Sequence, residues 1–435
     1  MDPFQFKKEF MLGVSTSSTQ IEGANKNNSW YGWCTEKDIS ESKICSHACD
    51  HWNRVREDTE LLKDLHVQTY RMSLDWSRIE PSPGEYSIDS IQHYREEIQL
   101  LLEGGIKPLV TLHHFADPVW FLKSGGWEDS RNSARFIDYA VFVVEELGDL
   151  VSDWIIFNEP NVYAIFGYLF GIFPPGIKSI EKTLQVAAQL IQTHIKLYEL
   201  IYEIRKECQF KGETMVGTAI HFRIFDGLTL VGKKTASFVE YIFHDVIADG
   251  MSSGRLRPPL TIKNMKIKKG RYLDFLGVNY YTRNIVEFAL DPSLYFHKLI
   301  HDTTLDKSDL GWDIYPEGIY RICKKYYRKY KLPLFITENG ISDRFDNRRP
   351  LYIVDHLAYI AKAAREGIPI ERYYHWTLMD NYEWNEDESI KFGLYHWDLE
   401  SQERSARKSA ELYSQLCRKK AFTEEMIAEF FPGKT

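Results

Sequence analysis

Short, nearly continuous apolar runs recur along this chain at residues 10–16, 67–74, 108–113, 154–158, 215–220, 273–280, 334–337 and 372–376. Runs of this length predict strands buried on both faces, as in a parallel sheet. Between them the apolar positions change period. Leu184, Ala187, Ala188, Ile191, Ile195, Tyr198 and Tyr202 step by threes and fours. So do Ile91, Tyr94, Ile98, Leu101 and Leu102, and again Ile353, Leu357, Ile360, Ala361 and Ala364. Each set forms one stripe of a helix. A last helix is expected over 405–417, with Ala406, Ala410, Tyr413 and Cys417 on its stripe. Strand and helix alternating in this way predict an α/β protein, one closed (β/α)8 barrel of the TIM type with elaborated loops, spanning 1–435 as a single domain.

A closed barrel gathers its chemistry where strands end and the following loops begin. Gln20 follows the first run, Arg71 lies within the second and His114 follows the third. Asn158 and Glu159 end the fourth, Tyr281 follows the sixth, Glu338 follows the seventh and Trp376 ends the eighth. Polar side chains at these positions are poor choices for packing alone, so they mark a candidate site.

Composition narrows the function. A net charge of −8 argues against a general nucleic-acid binder, which needs a basic face. The lysine-rich stretch 263–269 lacks interleaved aromatics and reads as a solvated loop. With 11 Trp, 26 Tyr and 25 Phe the chain is rich in rings, which stack well on the apolar faces of sugars and equally well fill cores. The N-terminal residues lack a charged region followed by an apolar one, and the longest apolar run, 162–173, is broken by glycines and too short to span a bilayer. No membrane partner is expected. Six cysteines without framework spacing fit reduced thiols and a cytoplasmic location. Cys45, His47, Cys49 and His51 crowd together, but no second Cys/His pair at ligand spacing accompanies them, so a loop opening a helix near Asn53 is expected rather than zinc.

The two glutamates that end the fourth and seventh runs, Glu159 and Glu338, fall on opposite sides of such a barrel. Glycoside hydrolysis needs two carboxyl groups facing each other across the scissile bond. Pro160 fixes the backbone after Glu159, and Gly340 is expected to permit a tight turn after Glu338.

Ordered motifs carry a resemblance over essentially the whole chain. They are GVSTSSTQIEG at 13–23, YRMSLDWSRI at 70–79, TLHHF at 111–115, FNEP at 157–160, GVNYY at 277–281, GWDIYPEG at 311–318, ITENG at 336–340 and HWTLMDNYEW at 375–384. Together they resemble the family 1 glycoside hydrolases of β-glucosidase type. The resemblance implies a retaining β-glycosidase acting on terminal non-reducing β-D-glucosyl residues, with galactosyl or fucosyl residues left open. It implies Glu159 as acid/base and Glu338 as nucleophile, with Arg71 and Tyr281 holding Glu338 ionised and oriented. It implies Asn158 on the sugar 2-hydroxyl, Gln20, His114, Glu383 and Trp384 as a clamp on the outer hydroxyls, and Trp376 as a stacking floor. Asn279 and Tyr281 join the substrate-binding set, and His221 and Trp312 fall on the aglycone side. The carboxyl groups are then expected about 5–5.5 Å apart. No metal or organic cofactor is implied, and the partner is a small β-glycoside or oligosaccharide; oligomeric state is left open.

Two positions depart from the family pattern. Phe115 stands where many relatives have Trp, and His221 where many have Asn, which leaves leaving-group preference open. A 6-phospho-β-glycosidase is disfavoured, because Glu383-Trp384, Ile390 and Phe392 replace the phosphate-holding residues of that group. A catalytically dead sugar-binding module is disfavoured by the presence of both glutamates, and a thioglucosidase by Glu159. Transglycosylation shares the same intermediate and remains open.

Overall fold

The structure, a computed structural model, describes residues 1–23, 25–37, 47–260, 268–386 and 389–433. Parallel strands β1 (Met11–Ser15), β2 (Thr69–Ser73), β3 (Lys107–His113), β4 (Asp153–Asn158), β5 (Met215–Asp226), β6 (Phe275–Phe288), β7 (Leu334–Asn339) and β8 (Ile370–Trp376) pair in sequence. β8 also pairs with β1, so the barrel is closed. Helices α1 (His51–Asp64), α2 (Ile88–Glu103), α3 (Ser133–Leu147), α4 (Ile180–Glu207), α5 (Val246–Ser253), α6 (Glu317–Tyr330), α7 (Arg349–Arg365) and α8 (Lys408–Lys419) each follow a strand of the same number.

Burial explains the sequence pattern. β2, β4 and β7 are buried at every position, because helices cover the outside and side chains fill the inside. Within the barrel, Leu109, Ile155, Ala219, Phe275, Phe335 and Tyr374 form one apolar layer. Local signals set the helices: the Ser179 hydroxyl accepts from Lys182 N at the start of α4, and Arg205 and Lys206 sit in its last turn, where the helix dipole favours cations.

The opposite end of the barrel from the site is closed by charge. Asp153, fully buried at the start of β4, pairs with Arg372 of β8 and with Lys107 Nζ at 2.9 Å. The Arg372 guanidinium also lies 4.3 Å from the centre of the Phe335 ring. Asp153→Ala leaves a buried cation short of its counter-charge and is expected to cost about 3–5 kcal/mol of stability. Denaturant titration checks this; an unchanged midpoint would discard it, and turnover per folded molecule should be unaffected because the site lies at the other face.

Expected and observed elements differ in three places. β5 and β6 run on to Asp226 and Phe288, well past the apolar runs at 215–220 and 273–280, and stay paired with each other, Ile224 to Arg283 and Asp226 to Ile285. His297–Ile300 then adds to β6 as an antiparallel edge. The last helix begins at Lys408, because Arg404–Ala406 instead pairs as a short strand with Tyr395–Trp397. Gly340 does not need its freedom for a turn: its φ is ordinary, but an added Cβ would fall 1.9 Å from the Trp376 carbonyl oxygen. Glycine is required there for the close approach of two strand ends.

Of the Cys/His cluster, Cys45 lies outside the described residues, as do residues 263–267 of the lysine-rich stretch. His51 opens α1 between Asp58 (2.8 Å) and Glu97 (3.1 Å). Burial pulls its imidazole down, yet Glu97 and Asp58 lift it to about 10, so it carries its proton at neutral pH. The Cys49 thiol donates to the Asp380 carbonyl. Among the described residues no helix is long and apolar enough to cross a membrane.

Candidate active site

The strand ends bring Glu159, Glu338, Arg71, Asn158, Asn279 and Tyr281 into one buried network. Arg71 projects from β2 into the barrel with no exposure. Its guanidinium donates to Glu338 Oε1 (2.5 Å), Asn158 Oδ1 (2.6 Å), the Thr337 carbonyl (3.1 Å) and Thr111 Oγ1 (3.3 Å). The Tyr281 hydroxyl donates to the other Glu338 oxygen at 2.5 Å. Both oxygens of Glu338 are therefore held by donors, one of them a buried cation, which fixes the carboxylate in place.

Glu159 sits where β4 passes into the short helix Pro160–Ala164, at φ 44° and ψ 54°. A non-glycine residue resists that left-handed conformation. It is held there by its own N–H bonded to the Ala219 carbonyl (2.7 Å) and by proline in the first helical turn. Asn279 Nδ2 donates to Glu159 Oε1 at 2.8 Å and to Asn158 Oδ1 at 3.0 Å, while its own Oδ1 accepts from Thr337 Oγ1 at 2.6 Å. His221 Nδ1 lies 2.9 Å from the same Glu159 oxygen.

Charge is scarce in this pocket. Burial pushes Glu338 up to about 7; Arg71 pulls it down, the Glu159 charge adds to the rise, and the bonds from Tyr281 and Arg71 oppose it. Burial pushes Glu159 up as well; a proton on His221 would hold the carboxyl below its ordinary range, and the hydrogen bonds from His221 and Asn279 act in the same sense. The two acids are thus in competition for one proton, and the state of His221 weighs on the outcome.

Around this pair lies a polar rim with atoms left over. Asn158 Nδ2 donates to His114 Nε2 (2.9 Å), which puts the ring proton on Nδ1. Burial, then Arg71 and His113, hold His114 well below its ordinary range, so the ring is neutral. His114 Nδ1 and Gln20 Oε1 are both buried without a protein partner, one a donor and one an acceptor. Gln20 Nε2 donates to Asn381 Oδ1 (3.1 Å), the Tyr382 carbonyl (2.9 Å) and, more weakly, Glu383 Oε2 (3.4 Å). Buried polar atoms left unpaired in this way are available to a polar ligand.

The aromatic walls complete the shape. Trp384 packs on Trp30 at 4.6 Å and on Phe115 at 5.2 Å, so the smaller ring at 115 supports Trp384 edge-on. Trp376 clusters with Tyr281, Ile390 and Phe392. Trp312 is half-buried, 5.7 Å from the Tyr281 ring and under the Arg223 guanidinium at 5.3 Å. Glu383 is not a standing anion. Burial, then Glu338, Glu386 and Glu159, push it up to about 8 against the Gln20 bond, so at neutral pH it carries its proton. Repulsion of a phosphate by Glu383 is therefore weak; apolar Ile390 and Phe392, 7% and 3% exposed, offer a phosphate no donor instead.

The structure thus gathers the expected glutamates with Arg71, Asn158, Asn279, Tyr281 and His221 in one bonded network. Gln20, His114, Glu383 and Trp384 form a bonded or packed arc beside it, and Trp376 and Trp312 share an apolar cluster with Tyr281. Sequence reasoning missed Thr337, which orients Asn279, and Arg223, whose Nε donates to His221 Nε2 at 2.9 Å. A signal for Arg223 existed: it lies two residues past His221, on the same side of a strand.

A closed barrel with two buried acids at its strand ends is an architecture that glycoside hydrolysis can use. The family model for glycosyl hydrolase family 1 matches residues 3–422, and the chain belongs to that family as an O-glycosyl hydrolase of β-glucosidase type. It is 31% identical over 446 residues to β-glucosidase A of Thermotoga maritima, covering 96% of this chain and 98% of that one. It is 28% identical over 491 residues to a β-galactosidase of Saccharolobus solfataricus, covering 97% of each. Among solved structures, a β-glycosidase from Pyrococcus horikoshii superposes with a TM-score of 0.90 at 35% identity, covering 100% of this chain and 99% of that one.

Proposed function

We propose that this β-glycosidase acts with retention, by double displacement through a covalent glycosyl-enzyme, on terminal non-reducing β-D-glucosyl residues. The observation that carries the reading is the unequal setting of the two acids. Glu338 has both oxygens gripped by Arg71 and Tyr281, as a nucleophile that must be aimed requires. Among the described residues, His221 Nδ1 and Asn279 Nδ2 both meet Glu159 at Oε1, which leaves Oε2 for the leaving oxygen.

In the first step Glu159 protonates the departing oxygen while Glu338 attacks the anomeric carbon. Esterification then removes the Glu338 charge, and Glu159, now anionic, draws a proton from the incoming water. Asn158, tied to Arg71 and His114, is set to meet the 2-hydroxyl. Gln20, His114 and Glu383 supply donors and acceptors to the outer hydroxyls, and Trp376 and Trp384 supply ring faces. His221 and Trp312 stand on the aglycone side. The β-galactosidase among the relatives supports galactosides as a second substrate class.

Proton NMR of early product from a nitrophenyl β-glucoside tests the reading, and the β-anomer should appear first. A panel of nitrophenyl glycosides, with and without 6-phosphate, should show the unphosphorylated glucoside or galactoside turned over faster. First release of α-anomer overturns retention; a preference for phosphorylated sugar overturns the substrate class.

A further inference from the structure

His221 stands against the acid of the pair, and a protonated imidazole there would draw the shared proton the wrong way. Its ring is bracketed: Nδ1 faces Glu159 Oε1 at 2.9 Å, and Nε2 faces Arg223 Nε at 2.9 Å. A guanidinium has N–H donors and no lone pair to offer. Nε2 must then accept, which leaves the ring with a single proton, on Nδ1, donated to Glu159.

We propose that Arg223 is a positioning residue that keeps His221 neutral, so that the one proton shared by the two buried carboxyls resides on Glu159 and the charge on Glu338. This rests on the retaining reading above and deepens it, by naming what decides which acid is protonated at rest.

The surroundings support the assignment. Facing His221 are Glu159 from β4, Arg223 from β5 itself and Tyr281 from β6, whose ring stacks at 5.8 Å. Phe243 meets the ring edge-on at 5.9 Å. His244, beyond Phe243, is held well below its ordinary range by burial and so adds no charge. Facing Glu159 are also Arg71, Glu338 and Glu383. Arg223 itself is fixed by Asn284 Oδ1 (3.3 Å) and by the Trp312 ring. Burial brings its guanidinium down to about 10, with Glu159 opposing, so it stays charged at neutral pH.

The alternatives differ in chemistry. With His221 cationic, Glu159 loses its proton to Glu338, and both acids are in the wrong form: the nucleophile is neutral and the leaving oxygen has no donor. With His221 neutral, the buried contact of Arg71 with Glu338 decides the matter, and the charge settles there. A neutral Nδ1–H still helps later, because it stabilises anionic Glu159 when that group must act as base.

The test is the pH dependence of kcat/KM for a β-glucoside in Arg223→Met, which keeps an apolar stem against Trp312 but frees Nε2. The ring can then take a second proton as pH falls. The acidic limb should move to higher pH by about one unit, a tenfold relative loss on the acid side. His221→Asn/Arg223→Met should return the limb to the position seen in His221→Asn alone, since an amide donates without titrating. Arg223→Gln, whose amide can present donor or acceptor, should shift the limb in the same direction and serves if the Met variant fails to fold. An unmoved limb in the folded variant, or a shift that survives in the double variant, overturns the proposal. Wild-type enzyme that fails to retain configuration overturns the underlying reading instead, so the two failures are distinguishable.

Discussion

Glu338→Gly is expected to lose β-glucoside hydrolysis by at least about 10⁴-fold, because no other group stands in for an aimed nucleophile. The loss leaves a space on the α face of the sugar, lined by Arg71 and Tyr281, both of which were donating to the missing carboxylate. Azide or formate should occupy it and restore turnover of an activated β-glycosyl fluoride, giving the α-glycosyl azide by a single inversion. Glu159→Gly should behave in the opposite sense. Its nucleophile is intact, so activated donors still form the glycosyl-enzyme, and deglycosylation slows by about 10²–10⁴-fold for want of a base. Azide should then attack from the β face and give the β-glycosyl azide, the result of two inversions. Product NMR reads both outcomes; the same anomer from both variants, or the anomers exchanged, would overturn the assignment of roles.

Arg71→Met is expected to be nearly as damaging, although Arg71 has no part in bond making. Burial already pushes Glu338 up to about 7, and Arg71 is the strongest influence holding it down. Removing that charge raises the carboxyl further, so the ionised nucleophile becomes scarce at neutral pH. Asn158 also loses a 2.6 Å donor and with it the fixed orientation of the amide beside His114. Together these should lower kcat/KM at neutral pH by about 10²–10³-fold and move the acidic limb to higher pH by at least about one unit. Arg71→Lys should recover part of the rate but not all, since an ammonium cannot reproduce contacts to Glu338, Asn158 and the Thr337 carbonyl at once. A pH–rate profile in which Arg71→Met falls uniformly, with its acidic limb in place, would mean that the arginine does not set the ionisation of Glu338.

Much of the barrel was legible because strands covered on both faces leave uninterrupted apolar runs, and helices between them leave stripes. Polar residues at the ends of such runs pointed to the mouth for the same reason. The apolar criterion failed where burial becomes one-sided. β5 and β6 continue past residues 220 and 280 as a paired ribbon carrying His221, Arg223, Arg283 and Glu287 among apolar positions, and a search for apolar runs stops at the first of these. Arg223 was lost there. The stripe through Ala406 matched helix α8 in period, but whether residues 404–406 join it depends on the distant segment Tyr395–Trp397. The ionisation of Glu383 was not legible for a similar reason, since it is set by neighbours from other loops and by burial. Gly340 was assigned to a turn from its own neighbourhood, when the constraint comes from the carbonyl of Trp376 on the next strand.

The left-handed backbone at Glu159 sets activity against stability at a single residue. A side chain in that conformation costs about 1–3 kcal/mol that glycine would recover, and the buried carboxyl adds its own desolvation. Selection for a more stable chain, blind to turnover, would therefore be drawn to position 159 early, and glycine is the residue it would favour. With Glu159 as the proposed acid/base, its presence at this strained position reads as chemistry favoured over stability.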